Sequence, residues 1–191
     1  MTKKRLLRAL AEALLAALCG AAFYFYAYPI KLNLATLDWQ TVKLIQGDNG
    51  IAPDVKFLGR GVTVGRKEFY LISVDGQFGY VSFERGPLGR HRLRNVGYGS
   101  GSFANGVVES GDEKYLLFSG QDYAGAIKRI TVELEGKTYQ LEPGKTRPFL
   151  TYCPVDPDTK AQNADLFDIV FYDEDGADIT ANYELSGGRI Q

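Results

Sequence analysis

Arg85, Arg90, His91, Arg92 and Arg94 carry the strongest chemical signal in this chain. If residues 90 to 94 form a strand, Arg90, Arg92 and Arg94 project on one face, because strand side chains alternate with a period of two. A row of planar guanidinium forks suits carboxylates or phosphates, which makes these five residues a candidate anion-binding or partner-binding site. The stretch Gly97-Tyr98-Gly99-Ser100-Gly101-Ser102 follows directly. Read as a loop of small residues, it could add backbone amides to such a site. The same row also fits a solvated edge strand whose charges block sheet-to-sheet aggregation, and both readings stay open on sequence alone.

Catalytic chemistry has little to work with. His91 is the only histidine and lies between two arginines, and no Gly-x-Ser-x-Gly elbow accompanies it. Zinc wants an N/S ligand set that one His and one outer Cys cannot supply. The acidic run Asp173-Glu174-Asp175-Gly176-Ala177-Asp178 clusters oxygens but departs from calcium-loop spacing and reads as a hairpin turn. Cys153 lies in an apolar run starting at Phe149, which predicts a buried thiol rather than a nucleophile. Neither a phosphate loop nor a dinucleotide fingerprint occurs. No catalytic residue, metal or cofactor is therefore assigned. The expected role is binding, with two alternatives: an envelope enzyme using carboxylates of the acidic half, or a structural subunit of an envelope assembly.

The elements that must hold these residues begin at the N-terminus. Lys3, Lys4, Arg5 and Arg8 precede an apolar run from Ala9 to Ile30 in which Glu12 is the sole charge. About 20 such residues cross the hydrocarbon core as a helix. Glu12 is placed to pair with Arg8 one helical turn away. Tyr24, Phe25, Tyr26 and Tyr28 form the aromatic belt expected where a helix leaves the acyl region. This predicts a cytoplasmic tail over 1–8, a signal anchor over 9–30 and a juxtamembrane linker over 31–50 that ends at Gly47-Asp48-Asn49-Gly50. Leu18 before Cys19 argues against lipidation. Cleavage after Gly20-Ala21-Ala22 satisfies the peptidase pattern, yet it would leave four aromatic residues exposed at a new N-terminus, so a retained anchor is preferred.

Beyond the anchor the chain is long enough for a real core, and its 45% apolar and 24% charged composition is that of a folded protein. Strands are predicted over 68–74, 77–84, 91–96, 106–110, 114–119, 127–134, 137–141, 147–153 and 168–172. Asp75-Gly76, Glu135-Gly136 and Asp175-Gly176 mark hairpin turns. Helix-like candidates are short, such as Thr159 to Phe167, and Leu32, Leu34 and Leu37 could form the last turns of a juxtamembrane helix. The spacing suggests an antiparallel β-sandwich-like region, so the fold class is mainly β behind one transmembrane helix. Residues 37 to 104 hold nine Lys or Arg against six Asp or Glu, whereas 105 to 191 hold eight against sixteen. A basic hairpin region (51–104) and an acidic region (105–191) are expected on that basis.

A basic tail, one span and a β-domain ending in Phe171-Tyr172-Asp173-Glu174-Asp175-Gly176-Ala177-Asp178-Ile179 resemble the small single-span exported proteins of uncharacterised role found in Gram-positive bacteria. The terminal strand and turn are similar to the last hairpin of their immunoglobulin-like outer domains. The resemblance implies a single-pass cell-membrane protein with its N-terminus in the cytoplasm and its C-terminal domain outside. Expected partners are the membrane through residues 9–30, and either another envelope or membrane protein or an anionic surface polymer; nucleic acid is not expected.

Overall fold

The computed structural model describes residues 3–32, 42, 53–59, 61–99, 101–183 and 187–189. The helix α1 (Lys3–Ala27) comes first. It is long and apolar enough to cross a membrane, and its apolar window is not buried against the rest of the chain. Arg8 Nε donates to Glu12 Oε1 at 3.0 Å, the expected one-turn pair. Among the described residues, strands follow in the order β1 (Val55–Phe57), β2 (Val62–Val64), β3 (Lys67–Val74), β4 (Gln77–Arg85), β5 (His91–Gly99) and β6 (Phe103–Ser110). They continue with β7 (Glu113–Gly120), β8 (Arg129–Leu134), β9 (Lys137–Leu141), β10 (Phe149–Val155), β11 (Ile169–Tyr172) and β12 (Gly187–Arg189).

These strands form three sheets. The first runs β1-β3-β4-β5 with β2 also on β3, the second β10-β7-β6-β12, and the third β11-β8-β9. Every named pairing is antiparallel except β12 on β6, which is parallel. The tight turns follow from their residues. Asp75 and Gly76 have φ of 51° and 82°, and Glu135 and Gly136 have 53° and 75°. Two successive positive φ values match the twist of a two-residue hairpin, and the Val74↔Gln77 and Leu134↔Lys137 pairs close the two ladders.

Alternation within the strands divides the core. Phe69, Leu71, Phe78 and Tyr80 of the first sheet meet Val108, Leu117 and Leu150 of the second. Leu116 and Phe118, on the opposite face of β7, join Ile130, Val132, Leu141 and Phe171 of the third sheet. The run Leu116-Leu117-Phe118 is apolar throughout because β7 is buried on both faces, each of the three being 0% exposed. A third cluster covers the other face of the first sheet: Ile72, Val74, Val81 and Phe83 pack with Ile30, Leu32 and Val42.

Several expectations change. Gly97 to Gly99 is strand, not loop. Thr159 to Phe167 is not a helix: only Leu166–Asp168 makes a short 3-10 turn. Side chains there satisfy the backbone instead, with Glu135 Oε1 accepting from the amides of Lys160 and Ala161 at 3.0 and 2.8 Å, and Asn105 Oδ1 accepting from Ala164 at 2.8 Å. The loop at Gly47-Asp48-Asn49-Gly50, and most of 31–50, lies outside the described residues. Ile30 already exchanges backbone hydrogen bonds with His91 at 3.0 and 2.7 Å, and Leu32 and Val42 pack on the first sheet. The 104/105 boundary falls inside β6, where one core cluster takes residues from both sides of it.

Candidate functional site

Of the expected row, Arg92 and Arg94 converge on one carboxylate while Arg90 turns to the segment that follows α1. β5 begins at His91, and its register against β4 shifts between Ser82 and Phe83: Ser82 faces Asn95 while Phe83 faces Leu93. Arg94 is the extra residue of this bulge, which is why Leu93 and Val96 reach the same core cluster. Arg92 and Arg94 both turn to one carboxylate, Glu84 Oε2, with Arg92 Nη2 at 2.8 Å and Nε at 3.1 Å. Burial would raise the Glu84 carboxyl, but hydrogen bonds from Arg92 and Arg94 outweigh it and hold the group below the ordinary carboxylate range. Arg66 stands 3.8 Å from the other Glu84 oxygen.

Arg90 leaves this group. Its Nε donates to the Tyr28 carbonyl at 2.7 Å and its Nη2 donates to the Pro29 carbonyl. The guanidinium carbon stands 4.9 Å from the Phe25 ring centre, and that of Arg92 stands 5.3 Å from the Tyr28 ring centre. Cations near a helix C-terminus complement its dipole and unpaired carbonyls, so Arg90 closes the end of α1. Tyr24 Oη donates to the Pro87 carbonyl, and the Tyr28 ring occupies the space a Cβ on Gly86 would need, 2.4 Å away. Arg85 is exposed.

His91 is 6% exposed. Its Nε2 meets Glu68 Oε1 at 3.2 Å, and Glu68 Oε2 accepts from Tyr70 Oη at 3.0 Å. Burial first, and then this hydrogen bond, push the Tyr70 hydroxyl up to about 12. Cys153 stands on β10 in a different sheet, and burial pushes its thiol up to about 11. The two groups best suited to nucleophilic or base chemistry are therefore kept apart, and the thiol is held protonated at neutral pH.

A second feature was not foreseen. At the end of β4–β5 away from α1, aromatic and glycine residues pair across the strands: Phe78 with Gly99, Gly79 with Tyr98, and Tyr80 with Gly97. A Cβ on Gly97 would fall 2.8 Å from the Tyr80 ring, and one on Gly79 would fall 2.3 Å from the Gly97 carbonyl oxygen. With Phe103 and Ala104 of β6 these residues line a cleft of about 180 Å³. Comparison with family models, curated proteins and solved structures found no match.

Geometry is therefore the whole basis for a functional reading. The complementary triplets Phe78-Gly79-Tyr80 and Gly97-Tyr98-Gly99 were the available sequence signal for the cleft, since glycine opposite an aromatic lets the ring lie across the neighbouring strand. Drug-sized ligands occupy pockets of about 300–1,000 Å³. The cleft is smaller and suits one large side chain. Tyr98, one of the residues that line it, is 50% exposed.

Proposed function

We propose that this chain is a single-pass membrane protein whose extracytoplasmic β-domain, of sandwich-like layering, is an interaction module for another envelope protein. It works by binding rather than catalysis, and its contact point is the cleft between β4–β5 and β6. The observation that carries this reading is the placement of two different features at opposite ends of one ribbon. Arg85 and His91 pair at the end that meets α1, while Phe78 and Gly99 pair at the cleft. The seven steps from Phe78 to Arg85 correspond to about 23 Å of strand, enough to lift the cleft clear of lipid head groups. Arg90, Tyr28 and the Ile30–His91 bridge join helix to domain with no free stalk between them, so the cleft is held at a set height and orientation. A single anchor side chain from a partner fits the volume, and such buried anchors carry most of the binding energy at protein interfaces. A place among the single-span exported proteins of Gram-positive bacteria, with an immunoglobulin-like outer domain, belongs to the same proposal.

The test is photo-crosslinking in intact cells, with a benzophenone amino acid replacing Tyr98 in the full chain. One dominant protein adduct is expected. Gly99→Leu should remove it, because a Cβ at Gly99 meets nothing within 4 Å and the longer side chain can fill the cleft. A diffuse ladder, or an adduct indifferent to Gly99→Leu, refutes the assignment.

A further inference from the structure

We propose that the β4–β5 connection, Gly86-Pro87-Leu88-Gly89, is a wedge that enters the outer leaflet beside α1, with the surrounding guanidinium groups on lipid phosphates. This rests on the reading that α1 spans the bilayer.

Depth comes first. Among the described residues the connection and Arg90 beyond it meet the aromatic belt at the end of α1: Tyr24 on Pro87, Tyr28 on Gly86, and Phe25 beneath Arg90. Belt aromatics sit at head-group level, and Tyr24 to Tyr28 covers about 6 Å along a helix. Gly86 to Arg90 therefore occupies that same thin slab. The tip of the connection is the second observation. Leu88 is 90% exposed and has φ of 55°, a left-handed conformation that a leucine rarely adopts. Among the described residues no packing covers Leu88 to offset its strained backbone, whereas the acyl boundary beside Tyr24 would cover it.

Charge is the third. Arg66, Arg85, Arg90, Arg92 and Arg94 gather at this end, and Glu84 is the carboxylate that Arg66, Arg92 and Arg94 share. Arg85 makes no hydrogen bond or ion pair through its side chain among the described residues. The cluster carries excess positive charge next to the head groups. Its arginines lie far along the chain from the span, outside the short flanks whose charge orients insertion, so they reach the membrane surface only once the domain has folded.

Depth can be measured on the full chain with Cys19→Ser and Cys153→Ser, carrying a nitroxide at Leu88→Cys or at Phe167→Cys. Phe167 is 94% exposed on the third-sheet side. The protein is reconstituted in phosphatidylcholine vesicles with and without phosphatidylglycerol. The Leu88 label should be accessible to oxygen and shielded from a water-soluble nickel chelate, and the Phe167 label the reverse. Equal chelate access at both labels, in protein that floats with the vesicles, overturns the wedge and leaves the anchor standing. Protein that does not float overturns the anchor and the wedge together. Spin-labelled phosphatidylglycerol should associate in preference to phosphatidylcholine, and Arg85→Ala should lower that preference by up to about fivefold, the factor matching ~1 kcal/mol per surface charge. No preference, or one untouched by Arg85→Ala, overturns the phosphate contact and assigns the arginines to a protein partner.

Discussion

Arg90 Nε donates to the carbonyl oxygen of Tyr28 at 2.7 Å, across 62 positions of sequence. That bond, with the one to Pro29 and the stacking on Phe25, converts a helix end into part of the β-domain. Orientation of the domain relative to α1 thus depends on these polar contacts together with the packing of Ile30 and Leu32 on the first sheet.

Removing this guanidinium should loosen the junction locally. Charge-assisted hydrogen bonds contribute about 1.5–3 kcal/mol, so Arg90→Ala should speed amide exchange at Ile30 and His91 on the order of thirtyfold. Hydrogen exchange on the full chain in nanodiscs reads this. Arg90→Lys should recover only part of the protection, since an ammonium lacks the planar fork that holds two carbonyls at fixed spacing. Protection unchanged in Arg90→Ala would show that the Ile30–His91 bridge holds the junction without it.

Glu84 makes the junction acid-sensitive. Its carboxyl is held below the ordinary carboxylate range in the fold, so the stability it contributes is present above its unfolded value of about 4.3. That contribution is lost as pH falls through the lower folded value. Glu84→Gln should cost about 1 kcal/mol at pH 7, a partly exposed pair being worth little more. The gap between variant and parent should close below about pH 4. Urea midpoints measured at several pH values test both the size and the sign.

Gly79 and Gly99 both line the cleft but should respond differently to alanine. A Cβ at Gly79 would stand 2.3 Å from a backbone oxygen, whereas at Gly99 it would meet open space. Forcing β4 and β5 apart should cost about 2–3 kcal/mol; Gly99→Ala should change stability by less than about 0.5 kcal/mol. Similar midpoints for the two variants would contradict the close approach of the strands.

Asp122 is a buried hub, 1% exposed. It accepts from the amides of Ala126 and Ile127 at 3.2 and 2.9 Å and from Tyr183 Oη at 3.2 Å, and lies 3.7 Å from Arg147 Nε. Asp122→Ala leaves two amides and the Tyr183 hydroxyl without their acceptor and the Arg147 guanidinium without its neighbouring charge, so a loss of about 3–5 kcal/mol is expected. Tyr183→Phe should cost about 1 kcal/mol, and the double variant should fall short of the sum because both remove one bond. Thermal or urea unfolding of the four proteins completes the cycle.

Much of the strand framework is legible in the sequence because its causes are local. Asp75-Gly76 and Glu135-Gly136 supply the positive φ their turns require, and the alternation of Ile130, Val132 and Leu134 marks the buried face of β8. β1, β2 and β12, three residues each, are too short for periodicity to register. Thr159 to Phe167 misleads because its backbone partners, Glu135 and Asn105, lie elsewhere in the chain. The arginines from 85 to 94 are conspicuous, but their alternation is broken by the bulge at Arg94.

The sequence by itself determines the apolar helix, its Arg8–Glu12 pair, the two-residue hairpins and the strand-rich body, all of which follow from neighbouring residues. Only the tertiary structure decides what the cations and glycines do. Arg92 and Arg94 meet Glu84 across a strand pair, Arg90 meets Tyr28 at the helix end, and Gly79 and Gly97 let β4 and β5 approach where a Cβ would overlap Tyr98 and Tyr80. The physical reason is range. Turn chemistry and periodicity act over a few bonds, whereas a guanidinium takes whichever acceptor the strand register brings within hydrogen-bonding distance, and that register is set by side chains packing across three sheets.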